Sequence, residues 1–93
     1  MKAIWNNTII AASKTTKQIE GNHYFPPNSL KMEYFKPSKL TSVCHWKGTA
    51  SYYNVEVEGK VNTDAAWYYP NCSDLAKDIE GHVAFWRGVE IID

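Results

Sequence analysis

Turn-forming pairs punctuate this chain at Asn6-Asn7, Gly21-Asn22, Glu58-Gly59 and Arg87-Gly88, with Pro26-Pro27 and Pro70 between them. Turn signals recur roughly every ten residues, and the runs between them are rich in β-branched and aromatic side chains. Helices of ordinary length have no room in such a chain, whereas short strands do. The rhythm predicts a mainly β domain. Ala3–Trp5 and Thr8–Ala12 flank Asn6-Asn7 as a first hairpin, and Thr16–Glu20 is a third strand.

Proline shapes the next segment. Tyr24-Phe25-Pro26-Pro27 is excluded from a central strand because neither proline donates to a ladder. Asn28-Ser29 offers a cap for a short helix over Leu30–Phe35, ending before Pro37. The longest predicted strand runs from Val43 to Val57. At period two, Cys44, Trp46, Gly48, Ala50 and Tyr52 share one face, while His45, Lys47, Thr49 and Ser51 share the other. Tyr53, Val55 and Val57 then carry the apolar pattern on the opposite parity. That change calls for a bulge near Ser51–Tyr53, or for a strand that passes from one packing partner to another.

Lys60–Asn62 and Asp64–Tyr69 are further strands, the second stopped by Pro70. Ser73 caps a second short helix, Asp74–Ile79, with Leu75 and Ile79 on one face. His82–Trp86 and Val89–Ile92 form a closing hairpin about Arg87-Gly88. The sum is roughly seven or eight strands and two short helices. These predict one compact domain over residues 1–93, a barrel-like or two-sheet β fold whose closure protects its many edges.

Ten basic and ten acidic side chains cancel to a formal net charge of zero. A neutral chain has no electrostatic reason to seek a phosphate backbone, so nucleic acid is not an expected partner. No apolar run reaches membrane-spanning length, and the first residues lack the apolar core of a signal peptide. The expectation is a cytoplasmic protein, monomeric or homodimeric, with Cys44 and Cys72 as free thiols.

Nucleotide and metal chemistry lack their usual residues. A phosphate loop needs clustered glycines or Gly-Lys-Ser/Thr, and Lys47-Gly48-Thr49 has the order reversed. Asp-x-Asp is absent, and Glu56 and Glu58 flank a turn as a solvated face. A zinc site wants two close ligand pairs. Cys44 and His45 are adjacent on a strand and point apart, so no metal or other cofactor is expected. Cys44 is the candidate catalytic residue, as a thiolate activated by a cation. Strand parity places Lys47 and His45 opposite it, which leaves His23 or His82 as activator. The same cysteine also reads as a small buried hydrophobe. Tyr24, Trp46, Tyr52, Trp67 and Tyr69 are either packed core or pocket wall, and the tyrosines, whose hydroxyls need partners, suit a pocket better.

Read in order, these segments resemble a bacterial family known as domain of unknown function 427. Trp5, Ile10-Ala11-Ala12-Ser13, Tyr24-Phe25-Pro26, Cys44-His45-Trp46-Lys47-Gly48, Ala50, Tyr52-Tyr53, Ala65-Ala66-Trp67, Tyr69-Pro70, Ile79, Gly81 and Val83-Ala84-Phe85 carry the likeness across nearly the whole chain. The resemblance implies a compact β-rich domain. His45 and Cys72 stand where the family usually has proline. The family's nucleotidyltransferase-like label implies a glycine-serine loop and paired aspartates, which this chain lacks. Tyr24, Cys44, Trp46, Lys47, Trp67 and Tyr69 match the family's motif.

Three functions follow as expectations. The first is binding of a small polar or anionic ligand, with charge from Lys47, hydrogen bonds from Tyr24 and Tyr69, and walls from Trp46 and Trp67. The second is an enzyme with Cys44 as nucleophile or redox thiol. The third is an interaction module that pairs through a β-edge or aromatic patch.

Overall fold

A computed structural model describes residues 1–93. Nine strands form, and every pairing is antiparallel. They are β1 (Lys2–Trp5), β2 (Thr8–Ala12), β3 (Lys17–Ile19), β4 (Asn22–Tyr24), β5 (Phe35–Cys44), β6 (Gly48–Val57), β7 (Lys60–Tyr68), β8 (Val83–Phe85) and β9 (Glu90–Ile92). A four-stranded sheet has the order β5-β6-β7-β8, a three-stranded sheet the order β2-β1-β9, and β3-β4 is a separate hairpin. The expected two-sheet alternative fits this arrangement better than the barrel-like one, because the sheets do not close on themselves. No helix is long and apolar enough to cross a membrane.

Tight turns join the hairpins. Asn6 and Asn7 both have positive φ, 51° and 59°, as do Glu20 with Gly21 (54°, 80°) and Glu58 with Gly59 (50°, 78°). Two successive left-handed residues match the twist of paired strands, and Asn and Gly tolerate that conformation best.

The four-stranded sheet is covered on both faces. On one side, Phe35, Val55, Val57, Ala65, Ala66, Val83 and Phe85 pack with Ala3, Ile10, Ala11, Phe25 and Leu30. On the other, Ala50 and Ala84 pack with Tyr24, Tyr69, Cys72, Ala76 and Ile79, bordered by Cys44, Trp46, Tyr52 and Trp67. The change of apolar parity along β6 follows. Ala50 and Tyr52 serve the second layer, and Tyr53, Val55 and Val57 serve the first. The irregularity lies beyond Ser51–Tyr53, where Tyr53 pairs with Ala66 but Val55 with Asn62. The additional residues are in β7. Asp64 there takes φ 56° and its backbone N–H donates to Asn54 Oδ1 at 2.8 Å.

Four sequence expectations are corrected. Val43–Val57 is not one strand: the chain turns at His45–Lys47, and Cys44 faces Gly48 across the hairpin. No helix covers Leu30–Phe35, where only 3-10 turns form at Pro27–Ser29 and Met32–Tyr34. Phe35 instead begins β5, which accommodates Pro37 because it is an edge strand. Asp74–Ile79 is likewise a 3-10 segment, kinked at Ala76. It buries Ala76 and Ile79 and leaves Leu75 83% exposed. Ser73 does not cap it, since its hydroxyl donates to the Trp46 carbonyl. Lastly, β8 and β9 are not a hairpin. The turn at Arg87-Gly88 passes the chain from the four-stranded sheet to β1 of the other.

Gly48 holds the β5–β6 turn against the segment after Pro70. Its φ is 124°, and a Cβ there would lie 2.7 Å from the Asn71 carbonyl oxygen. Gly48→Ala is expected to destabilise the protein by about 2 kcal/mol through backbone strain and this contact. The measurement is thermal unfolding, with a fall in Tm of roughly 8–16 °C.

Candidate functional site

Lys47 is the only buried charged side chain, 5% exposed. Its turn is pinned from behind, where Ser73 N–H donates to the Lys47 carbonyl at 3.2 Å and the Ser73 hydroxyl to that of Trp46. The ammonium stands 4.9 Å from the Trp46 ring centroid and 5.7 Å from that of Tyr69, within cation–π range. Its hydrogen-bond partner is the Glu20 carboxylate, from the β3–β4 turn. Burial lowers the Lys47 pKa. The hydrogen bond to Glu20 and the negative charge of its carboxylate outweigh burial and raise it. The amine is therefore protonated at neutral pH.

Beside this ammonium, aromatic side chains line up across the second face of the sheet. Tyr52 pairs with Trp67, and Trp67 with Ala84. The isolated Phe25–Val83 bridge joins the end of β4 to β8 and brings Tyr24 to the far side of Ala84. Ala84 has only a methyl group, so Trp67 reaches over it. Trp67 Nε1 donates to the Tyr24 hydroxyl at 3.2 Å, and the rings meet edge-on at 87°. Trp86 meets Trp67 edge-on at 5.8 Å.

These residues line an open pocket of about 170 Å³, formed by Asn22, Tyr24, Lys47, Tyr52, Trp67, Tyr69 and Trp86. It is below the roughly 300–1,000 Å³ of sites for drug-sized molecules. Polar tips project from an aromatic wall. The Tyr24 oxygen accepts from Trp67, which leaves its proton for another acceptor. Tyr69 is buried, yet no buried polar side-chain atom in the protein lacks a partner. Its hydroxyl, bonded to no protein group, therefore opens to the cavity.

Of the residues singled out from sequence, Tyr24, Lys47, Tyr52, Trp67 and Tyr69 line the cavity. Trp46 does not, and instead backs the Lys47 ammonium. Cys44 borders the same layer, half-buried. Parity along a continuous strand sets Lys47 opposite Cys44, and the turn at His45–Lys47 removes that obstacle. His23 and His82 are engaged elsewhere, near Thr16 Oγ1 and the Glu80 carbonyl respectively. Sequence reasoning missed Asn22, Trp86 and Glu20. Glu20 carries the one available signal, an acidic residue beside Gly21 in a turn, but nothing local tells which cation it meets. No three His, Cys, Asp or Glu side chains gather to hold a metal ion.

The fold and this site define a small antiparallel β domain with a buried lysine set beside an aromatic pocket. The chain belongs to the family described as Domain of unknown function (DUF427), which it matches over residues 1–92. No curated protein matches it.

The buried phenols make a pH prediction. Burial raises the Tyr24 pKa, against the Trp67 hydrogen bond and Lys47, which lower it. Burial also raises Tyr69, aided by Tyr24, Cys44, Tyr52 and Glu20. Below the ordinary value of 10.0 both folded and unfolded chains hold these protons. Above it the unfolded chain releases them first, so stability falls as pH rises. Denaturant midpoints measured between about pH 8 and pH 11 should drop steadily in the upper part of that range. Part of the phenolate absorbance should appear only as the protein unfolds.

Proposed function

We propose that the domain binds a small anionic ligand in the cavity beside Lys47. The observation that carries this reading is the buried ammonium. A charge is withdrawn from water only at a cost, and a buried ion pair is weak evidence for stability. Lys47 is better accounted for by a ligand than by packing. Tyr24 and Tyr69 supply hydroxyl donors, Trp67 a wall, and Trp46 the face that steadies the ammonium.

Lys47→Met tests the reading. The substitution leaves Glu20 at the surface, 56% exposed along its side chain, so no orphaned charge is buried and the fold should hold within about 1 kcal/mol. Titrations of acetate, benzoate and inorganic phosphate are followed by amide chemical shifts. The expected result is a response centred on Asn22, Lys47 and Tyr69 that Lys47→Met abolishes. A response that survives the substitution, or none to any anion, overturns the reading.

The position of Cys44, half-buried at the border of the layer that holds the pocket, favours a second reading, a nucleophilic or redox thiol. Cys72 is the internal comparison, because burial and Glu80 push its thiol pKa up. Alkylation of Cys44 is expected to outpace that of Cys72 at least tenfold at neutral pH, read by peptide mass spectrometry. For the catalytic role, the rate at Cys44 should also show a midpoint well below the ordinary thiol value of about 8.5. A midpoint at or above that value reduces Cys44 to a packing residue.

A further inference from the structure

The site's own geometry narrows the ligand further, on the reading that the cavity binds an anion. Three features bear on its class. The first is size. A protein cavity of roughly 150 Å³ holds one benzene molecule, and this one measures about 170 Å³. One six-membered ring fits within it, and because the pocket is open a small substituent can project from its mouth. The second is wall geometry. Trp67 and Trp86 meet at 80° and form a corner, with Tyr52 tilted 40° from Trp86. A flat ring in that corner stacks on one indole and meets the edge of the other, both favoured contacts.

The third feature is the occupant of Lys47. An ammonium has three donors, and the single partner here is a carboxylate, Glu20, brought in by the exposed β3–β4 turn. With Glu20 in place the pair is neutral. A second anion beside the same ammonium would meet the Glu20 charge as well as the lysine's. A phosphate dianion would face this with one cation already matched, whereas a monoanionic carboxylate can take over the position that Glu20 holds. Glu20 can leave because its own side chain is largely in water, and the incoming carboxylate takes over compensation of the buried ammonium, which would otherwise be left unpaired.

We infer that the cavity takes a single-ring planar carboxylate, and that this ligand replaces Glu20 as the partner of Lys47. Glu20 is then an internal stand-in for the ligand. It keeps the buried ammonium compensated when the cavity is empty and competes with the ligand for it. The ring enters the Trp67–Trp86 corner, and the carboxylate accepts from Lys47 and from the Tyr24 and Tyr69 hydroxyls.

The test compares benzoate, acetate and inorganic phosphate on the wild-type protein and on Glu20→Gln, by tryptophan fluorescence and amide chemical shifts. Glu20→Gln keeps the length of the side chain and an acceptor oxygen for Lys47, but leaves the buried ammonium without a counter-charge until an anion binds. Benzoate is expected to bind at least tenfold more tightly than acetate or phosphate, and Glu20→Gln to tighten benzoate about tenfold. In the wild type, saturating benzoate should shift the Glu20 and Gly21 amides together with that of Lys47. Phosphate or acetate binding as well as benzoate overturns the ligand class and leaves the anion site standing. Benzoate binding that Glu20→Gln leaves unchanged or weakens overturns the exchange. Failure of all three anions on both proteins overturns the inference together with the anion site.

Discussion

A buried ammonium must be compensated, and much of the second face of the protein is arranged about that requirement. Lys47 is held from behind by the segment after Pro70 and flanked by two aromatic faces. It is capped by a carboxylate from a separate hairpin. Each element comes from a different part of the chain. The β5–β6 turn supplies the charge, the end of β7 supplies Tyr69, and the β3–β4 turn supplies Glu20. Without the tertiary fold Lys47 is an ordinary surface residue, and without Lys47 these elements have no common centre.

The four-stranded sheet makes this possible because its two faces do different work. One face is a dry layer of aliphatic and phenylalanine side chains sealed by the three-stranded sheet. The other mixes alanine with tyrosine and tryptophan. Small residues next to large rings leave gaps, and the gap over Ala84 lets Trp67 reach Tyr24. A larger side chain at Ala84 would fill the space between them, so this alanine shapes the cavity without lining it.

Much of the fold is legible in the sequence because hairpin turns are local. Asn6-Asn7 and Glu58-Gly59 mark reversals from residues adjacent in the chain, and the change of apolar parity along β6 narrows the strand to a bulge or a change of packing partner, of which the structure has the second. The region from Leu30 to Lys47 is not legible. Leu30–Phe35 has helical spacing, but tertiary pairing of Phe35 with Val55 draws it into a strand. The His45–Lys47 turn carries no proline and its glycine follows rather than occupies it, so period two reads straight through. That one hidden turn inverts the relation of Cys44 to Lys47. For the site, the aromatic residues and the lysine are visible as types. Glu20 is not, because an ion pair spanning 27 residues leaves no local trace.

The hand-over from β8 to β9 has a kinetic consequence. β9 pairs with β1, so Lys2 sits opposite Ile92. Closing that ladder requires a loop of almost the whole chain, and the entropy of closure must be met before the contacts reward it. The β5–β6–β7 meander needs only short loops and can form first. The three-stranded sheet is then the last layer to assemble, and until it does, the aliphatic face it covers stays open to solvent. The pocket face, built mainly on the meander and the β3–β4 hairpin, depends on shorter-range pairings than the β1–β9 ladder that closes the opposite layer.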